Sequence, residues 1–427
     1  MEEALAEGSL LSDELLRHLM AVGQVDVLVG VPTLNNASTI GGVVNAVHQA
    51  FGKYFPRDRT VLINSDGGSV DGTQDVIRGR SQDQTETVTV SHALRTTHSI
   101  STPYHGVPGK GSALRQIMTA ADLAQAKAVA VLDADVASAT PEWVASLVQP
   151  VRNQQFDYVA PIYSRHPLDS PLITQLVRPL FRAASGWQVR EPLAAEFGCS
   201  NRFLAHCLEQ NVWDNELARY GIDLWLTATA LYGGFRCCQT MVGPRVAAAA
   251  PGRPGFREVF QQVVGSVFLL LEQQASSWVT RVGSEQIPIA GPAADGKGDG
   301  QAPGVSRLGS TFRDDLRNLE SVLRAILGEG TLRELNAIAE AGVEEIRYPD
   351  ALWVRTVYEF MGAFHRGVMR REHVTQALIP LYLGRTGSFL VEQSSRNPAE
   401  VEGALEALCV EFERAKPSLV QYWNQAT

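Results

Sequence analysis

The chain has 427 residues, of which 45% are hydrophobic and 19% charged, and its formal net charge is −9. That length holds one large α/β domain, a smaller second domain and a sizeable core, and the balance excludes bulk disorder. The acidic balance excludes nucleic acid as the main partner, because phosphate backbones call for clustered Lys and Arg.

The leading segment, residues 1–24, carries Leu10, Leu11, Leu15, Leu16 and Leu19 at helical spacing and reads as an N-terminal helix. It is acidic and amphipathic, without the basic start and apolar core of a signal peptide. The period then changes. Residues 25–32 and 60–64 are short β-branched runs, and residues 87–91 and 128–132 are further strand candidates. Helices are predicted between them at 40–51, from 73 to 80 and over 110–124. Alternating strands and helices predict right-handed βαβ units and a mostly parallel sheet. The fold class is therefore α/β, with the ligand crevice at the strand C-termini.

Residues 283–310 are rich in Gly, Pro and Ala with no apolar period, and are predicted to be a flexible linker. Residues 311–427 read as a helical domain. The apolar run 264–271 is broken by Gly265 and Ser266 and falls short of the roughly 20 residues of a membrane span. Five cysteines, an odd number without metal-ligand spacing, suit reduced thiols in the cytoplasm. The leucine-rich N-terminal helix and the helical tail suit a homodimer or packing within one chain.

Five stretches carry chemistry. Asp133-Ala134-Asp135 follows a buried run, and two carboxylates two apart point to one side of extended backbone. They suit a hard divalent ion, or else cap the next helix. In the loop 64–73, Asp66 is placed to accept from the N–H edge of a base. In the same loop Asp71 reads better as a helix cap. Pro108-Gly109-Lys110-Gly111 sets a lysine at a helix start, where N–H groups and the dipole favour phosphate. It is not a P-loop: Gly111 replaces the required Ser or Thr, and Tyr104 stands where an earlier Gly belongs. Glu196 and Asp223 are single carboxylates in apolar surroundings. Glu196 needs a partner or a ligand, and Asp223 reads equally as an N-cap.

These motifs, with Val31-Pro32-Thr33-Leu34-Asn35-Asn36 ahead of them, resemble in order and spacing the GT-A retaining glycosyltransferases that make glycosylglycerates. The resemblance spans about residues 25–282. In the helical tail it touches 348–353 and 381–385. It implies a GT-A, Rossmann-like nucleotide-sugar domain over 25–282, followed by the linker and the C-terminal helical domain.

It also implies roles. Pro32, Leu34, Asn35 and Asp66 would hold the nucleoside, and Lys110 would face the diphosphate. Asp133 would lie near the ribose and donor sugar, and Asp135 would be the metal carboxylate for Mg²⁺ or Mn²⁺. Glu196 would bind donor-sugar hydroxyls, and Asp223 would lie at the reacting centre or acceptor. Arg165 and Thr174 would hold the acceptor carboxylate, with His166 the equivalent if the alignment slips by one. The family's histidine metal ligand falls at Ala247. The implied activity is transfer of a hexose from a nucleoside diphosphate sugar to D-glycerate or a similar small hydroxy acid. Alternatives are a non-catalytic sugar-nucleotide binder on the same fold, or a transferase for another acceptor.

Overall fold

A computed structural model describes residues 11, 13–83, 98–103, 110–247, 255–291, 305–340 and 347–425. The predicted strand at 87–91 and the glycine-rich approach 104–109 lie outside these residues. Ten strands are described: β1 Val27–Thr33, β2 Thr60–Asp66, β3 His98–Pro103, β4 Ala128–Val131, β5 Tyr158–Tyr163, β6 Trp187–Gln188, β7 Phe197–Ser200, β8 Cys237–Gly243, β9 Glu285–Gln286 and β10 Ile289–Ala290.

The chain divides into two units. The first comprises Met1–Ser164, Leu193–Arg253 and Ile287–Gly298. Its eight-stranded sheet has the order β10-β8-β5-β7-β4-β1-β2-β3. Pairing is parallel throughout except for β7, which runs antiparallel to both β4 and β5. Every residue of β1, β2, β4 and β5 is buried, as expected when helices cover both faces. The helix Ile40–Tyr54 buries Ile40, Val43, Val44, Val47 and Phe51, one face at helical spacing. The helix Pro141–Gln154 begins with proline, whose missing N–H costs nothing there, and ends at Gln155 with φ +58°. The helix Lys110–Leu123 lies close on β1, because a Cβ at Gly30 would come within 2.3 Å of Ile117.

This topology fixes where the chemistry falls. The C-terminal ends of β1, β2, β4, β5 and β8 share one edge of the sheet. Antiparallel β7 starts at that edge, with Phe197 opposite Val131. Residues just after β4 and β8 and just before β7 therefore converge, and these include Asp133, Arg245 and Glu196.

The second unit comprises Arg165–Pro192, Pro254–Gln286 and Asp299–Thr427. It is helical apart from the short parallel ladder of β6 with β9. The helix Arg178–Ser185 sits on the last helix, Pro398–Asn424, through Arg182, 2.7 Å from Glu406 and 2.6 Å from Glu413. A capping box at Asn397 and Glu400 starts that last helix. The two tail segments of the resemblance meet here. Arg385, nearly inaccessible, donates to the Tyr348 carbonyl and to Asp350, and also to Gln175.

The division departs from the boundaries predicted at 25–282, 283–310 and 311–427. Segments 165–192 and 255–286 belong with the tail helices: Arg178 and Arg182 pair with Glu402, Glu406 and Glu413, and Phe260 and Phe268 pack on Tyr382 and Phe364. The linker expectation also needs correction: Ile289–Ala290 joins the sheet beside β8, and a helix begins at Val305. Residues 292–304 lie outside the described residues. All five cysteines are unpaired. Among the described residues no helix is long and apolar enough to cross a membrane.

Candidate functional site

Two groups of polar side chains stand along the C-terminal edge of the first unit's sheet. The first joins the loops after β1 and β2. Asp66, fully buried, accepts from Thr33 Oγ1 (2.8 Å), Ser69 Oγ (2.6 Å), Ser69 N (2.9 Å), Gly68 N (3.1 Å) and Gln74 Nε2 (2.9 Å). Burial pushes its carboxyl up, but the bonds from Ser69, Gln74 and Thr33 prevail and hold it below the usual range. A carboxylate offers about four lone-pair sites, so five donors saturate Asp66. As placed, it shapes the loop and has no acceptor left for a base.

Around it, Asn35 has φ +57°, donates from its N to Ser69 Oγ and accepts from Val70 N. Asp71 accepts from Ala37 N and Thr73 N, the helix-start role its sequence favours. Pro32 is buried in β1 opposite Ser65, while Leu34 is exposed at the loop tip.

The second group is charged. Lys110 opens its helix and reaches Asp223 at 2.9 Å, the Ala195 carbonyl at 3.3 Å and Asp133 at 3.9 Å. Gly111 is required beside it: a Cβ there would lie 2.3 Å from the Ala218 carbonyl oxygen. The glycine thus lets the helix approach the π-helical turn Leu217–Gly221, which leads straight into Asp223. Glu196 has no exposed surface, takes the Tyr163 hydroxyl as donor and lies 3.2 Å from Arg245 Nη2. The same Arg245 nitrogen is 3.3 Å from Asp133 and 3.2 Å from Asp135.

Four carboxylates thus share two cations. Burial pushes the Glu196 carboxyl up against the pull of Arg245, and nearby Asp133 adds to the rise. Burial does the same to Asp223 against Lys110. Burial works against the Lys110 ammonium too, but Asp133, Asp223 and Glu196 outweigh it and hold the group more firmly protonated than usual. Perturbed groups gathered at a strand edge are where an α/β protein places its chemistry.

Residues 28–204 match the family model "Glycosyl transferase family 2". The chain carries a glycosyl transferase family 2 domain. That domain makes it a glycosyltransferase dependent on nucleotide sugars, and the match takes in β1 to β7 with Lys110, Asp133, Asp135 and Glu196. No curated protein matches the chain.

Among solved structures, the chain is similar to glucosyl-3-phosphoglycerate synthase from Mycobacterium tuberculosis in complex with Mn²⁺, UDP and glucosyl-3-phosphoglycerate. Identity is 21% over 60% of this chain and 83% of that one, with a TM-score of 0.43. The complex of the same synthase with phosphoglyceric acid is 19% identical over 64% of this chain and 91% of that one, at a TM-score of 0.44.

The structure brings Lys110, Asp133, Asp135, Glu196 and Asp223 together. Arg165 and Thr174 belong to the second unit. There Arg165 pairs with Glu191 at 2.6 Å and donates to Ser170, and Thr174 lies in the π-helical turn Ile173–Val177. His166 Nδ1 accepts from Leu168 N within its own turn. The sequence offered Arg165 and His166 as the local cations, but Arg178 and Arg190 also pull on Glu191.

Arg245 and Tyr163 escaped the sequence reading. The signal was a lone cation just past a strand end, two residues before the Ala247 position.

A divalent cation does not fit the residues as they stand. Arg245 lies against both carboxylates of Asp133-Ala134-Asp135 and against Glu196. A guanidinium does not deprotonate, so it repels a second cation there. Ala247, at a bridge with Val136, offers no ligand. Among the described residues no three His, Cys, Asp or Glu side chains are grouped to hold a metal.

Proposed function

We propose that the chain transfers a hexose from a nucleoside diphosphate sugar to D-glycerate or a similar small hydroxy acid, with retention at the anomeric carbon. The observation that carries this reading is the cluster of half-buried Lys110 and Asp223 with buried Glu196 at the strand edge of a transferase domain.

In this reading Pro32, Leu34 and Asn35 line the nucleoside, with Asp66 fixing their loop. Lys110 faces the diphosphate and Asp133 the ribose and donor sugar. Glu196 takes the donor sugar's hydroxyls, and Asp223 stands at the reacting centre. The acceptor oxygen bonds to the anomeric carbon as the carbon–phosphate oxygen bond breaks. The acceptor's proton passes to the departing diphosphate on the same face, so no protein base is needed. Fixed positive charge at the diphosphate stabilises the leaving group as its charge grows.

Arg165, whose fork suits a bidentate contact, and Thr174 are the residues this reading assigns to the acceptor's carboxylate. It takes the place on Arg165 that Glu191 now holds. Five unpaired thiols suit the cytoplasm as the setting.

The test is nucleotide release from UDP-, GDP- and ADP-linked glucose and mannose, with and without D-glycerate or 3-phosphoglycerate. Acceptor-stimulated release with one donor is the expected result. No release with any donor overturns the reading. Arg165→Ala should raise the acceptor KM about tenfold while donor hydrolysis stays unchanged. An unchanged KM would remove Arg165 from the acceptor site.

A further inference from the structure

We infer that Arg245 is a donor-site residue that takes the place of a divalent cation, so that this transferase binds its nucleoside diphosphate through two fixed cations, Arg245 and Lys110. The inference rests on the transferase reading above and concerns the same site.

The geometry of Arg245 points this way. One guanidinium nitrogen lies 3.2–3.3 Å from carboxylate oxygens of Asp133, Asp135 and Glu196. Its Nε is also 3.3 Å from Glu196 Oε1. A cation that gathers carboxylates from a strand-end Asp-x-Asp pair and a neighbouring strand stands where a metal would bridge them. Mg²⁺ needs oxygens at about 2.1 Å in near-octahedral order, and a planar guanidinium among those oxygens leaves no such shell.

The backbone holds Arg245 in this place. Gly243 at the end of β8 has φ +99°, so the chain turns sharply there. Ser138 Oγ donates to the Pro244 carbonyl at 2.7 Å and accepts from Val246 N at 2.9 Å. Ala137 N donates to the Val246 carbonyl at 2.9 Å. Residues 244–247 are thus stitched to 136–138, the segment that follows Asp135. The Tyr163 ring lies 5.9 Å from the guanidinium and bounds it on another side. An arginine tied by its neighbours on both sides is preorganised.

The charges agree. Lys110 and Arg245 flank Asp133, at 3.9 Å and 3.3 Å. Together they carry the two positive charges that a divalent ion would bring to a diphosphate. A guanidinium also binds phosphate oxygens bidentately, which fixes orientation as well as charge. The absence of a histidine at Ala247 then costs the site nothing, because no ion is there to ligate.

The test uses the full chain and measures binding rather than turnover. Affinities for UDP, GDP and ADP are measured by calorimetry in EDTA and in Mg²⁺ or Mn²⁺. Mn²⁺ alone is titrated by electron paramagnetic resonance. The wild type should bind one nucleotide with affinities that agree within about threefold with and without metal, and should bind no Mn²⁺ at the site. Arg245→Ala should weaken the nucleotide about 10- to 100-fold, the value of a charge-assisted pair. Arg245→Lys, which keeps the charge without the fork, should fall between and shows that the effect is not misfolding.

A wild type that binds Mn²⁺ alone, or loses its nucleotide in EDTA, overturns the inference and leaves the transferase reading standing. Unchanged nucleotide affinity in a folded Arg245→Ala overturns it as well. No nucleotide bound under any condition removes the transferase reading, and the inference falls with it.

Discussion

Two carboxylate sites stand along one sheet edge of the first unit, and they are built on opposite terms. After β2, Asp66 is met by five hydrogen-bond donors from its own loop and from Thr33, and its carboxyl is held low. After β4 and before β7, Asp133, Asp135, Glu196 and Asp223 share two cations, and burial pushes Glu196 and Asp223 up. Both sites are acidic and each holds one fully buried carboxylate, Asp66 in the first and Glu196 in the second, so burial alone does not tell them apart. What differs is who satisfies the oxygens. A carboxylate met by backbone N–H and hydroxyl donors is settled by the fold. One held by a cation that it shares with other carboxylates retains the capacity to exchange that partner for a ligand.

The largest way to break this contrast is to remove a cation from the second site. Lys110→Ala leaves Asp223 with its charge buried and its main partner gone, which should cost about 3 kcal/mol in denaturant unfolding at pH 7.5. Turnover of donor should fall about 100-fold. The sign with pH follows from the raised Asp223 carboxyl. A folded-state pKa above the unfolded value stabilises at low pH, and that stability is lost as pH rises through the folded value. Losing Lys110 raises it further, so the deficit should shrink as pH is lowered from 7.5 to about 5. A deficit independent of pH would show that Asp223 is not the group left exposed to the change.

Asp66→Ala probes the settled site and should have a smaller effect. It leaves Ser69 N and Gly68 N without their acceptor and should cost about 2 kcal/mol. Because the Asp66 carboxyl is lowered in the fold, that difference is fully present above about pH 4 and is lost as pH falls through the folded value. Loosening the loop would weaken nucleotide only in step with the stability lost. Full stability with lost affinity would instead mean that Asp66 meets the base directly, and the contrast between the two sites would fail.

The sequence made much of this edge readable because β1, β2 and β4 are short, wholly buried runs ending in polar loops. Asp66, Asp133 and Asp135 are charges at the ends of such runs, Glu196 stands just before β7, and Lys110 and Asp223 stand at helix starts. What it hid depends on distant pairing. The edge strand His98–Pro103 is largely polar and pairs with β2, so it carries no apolar signature. The saturation of Asp66 needs Thr33 from another strand. Arg245 becomes a site residue only because β8 lies beside β5 and the chain turns back at Gly243 toward Asp135. The unit boundaries were hidden for the same reason: Arg182 meets Glu406 and Glu413 across more than two hundred residues.

The smallest expected effect sharpens the contrast within the first loop itself. Asp71 is exposed, unlike Asp66, and accepts from Thr73 N at 3.0 Å and Ala37 N at 2.9 Å. Burial pushes its carboxyl up, but the bonds from Thr73 and Ala37 together outweigh it and hold it below the usual range. Water replaces most of what these bonds supply, so Asp71→Ala should cost only about 0.5–1 kcal/mol, the value of a lost helix-start acceptor. That difference should hold at pH 6 and fade below about pH 4, again because the group is lowered in the fold. Nucleotide affinity should not change. Equal losses at Asp66 and Asp71 would mean that the loop is held by their chain positions rather than by the saturation of the buried carboxylate.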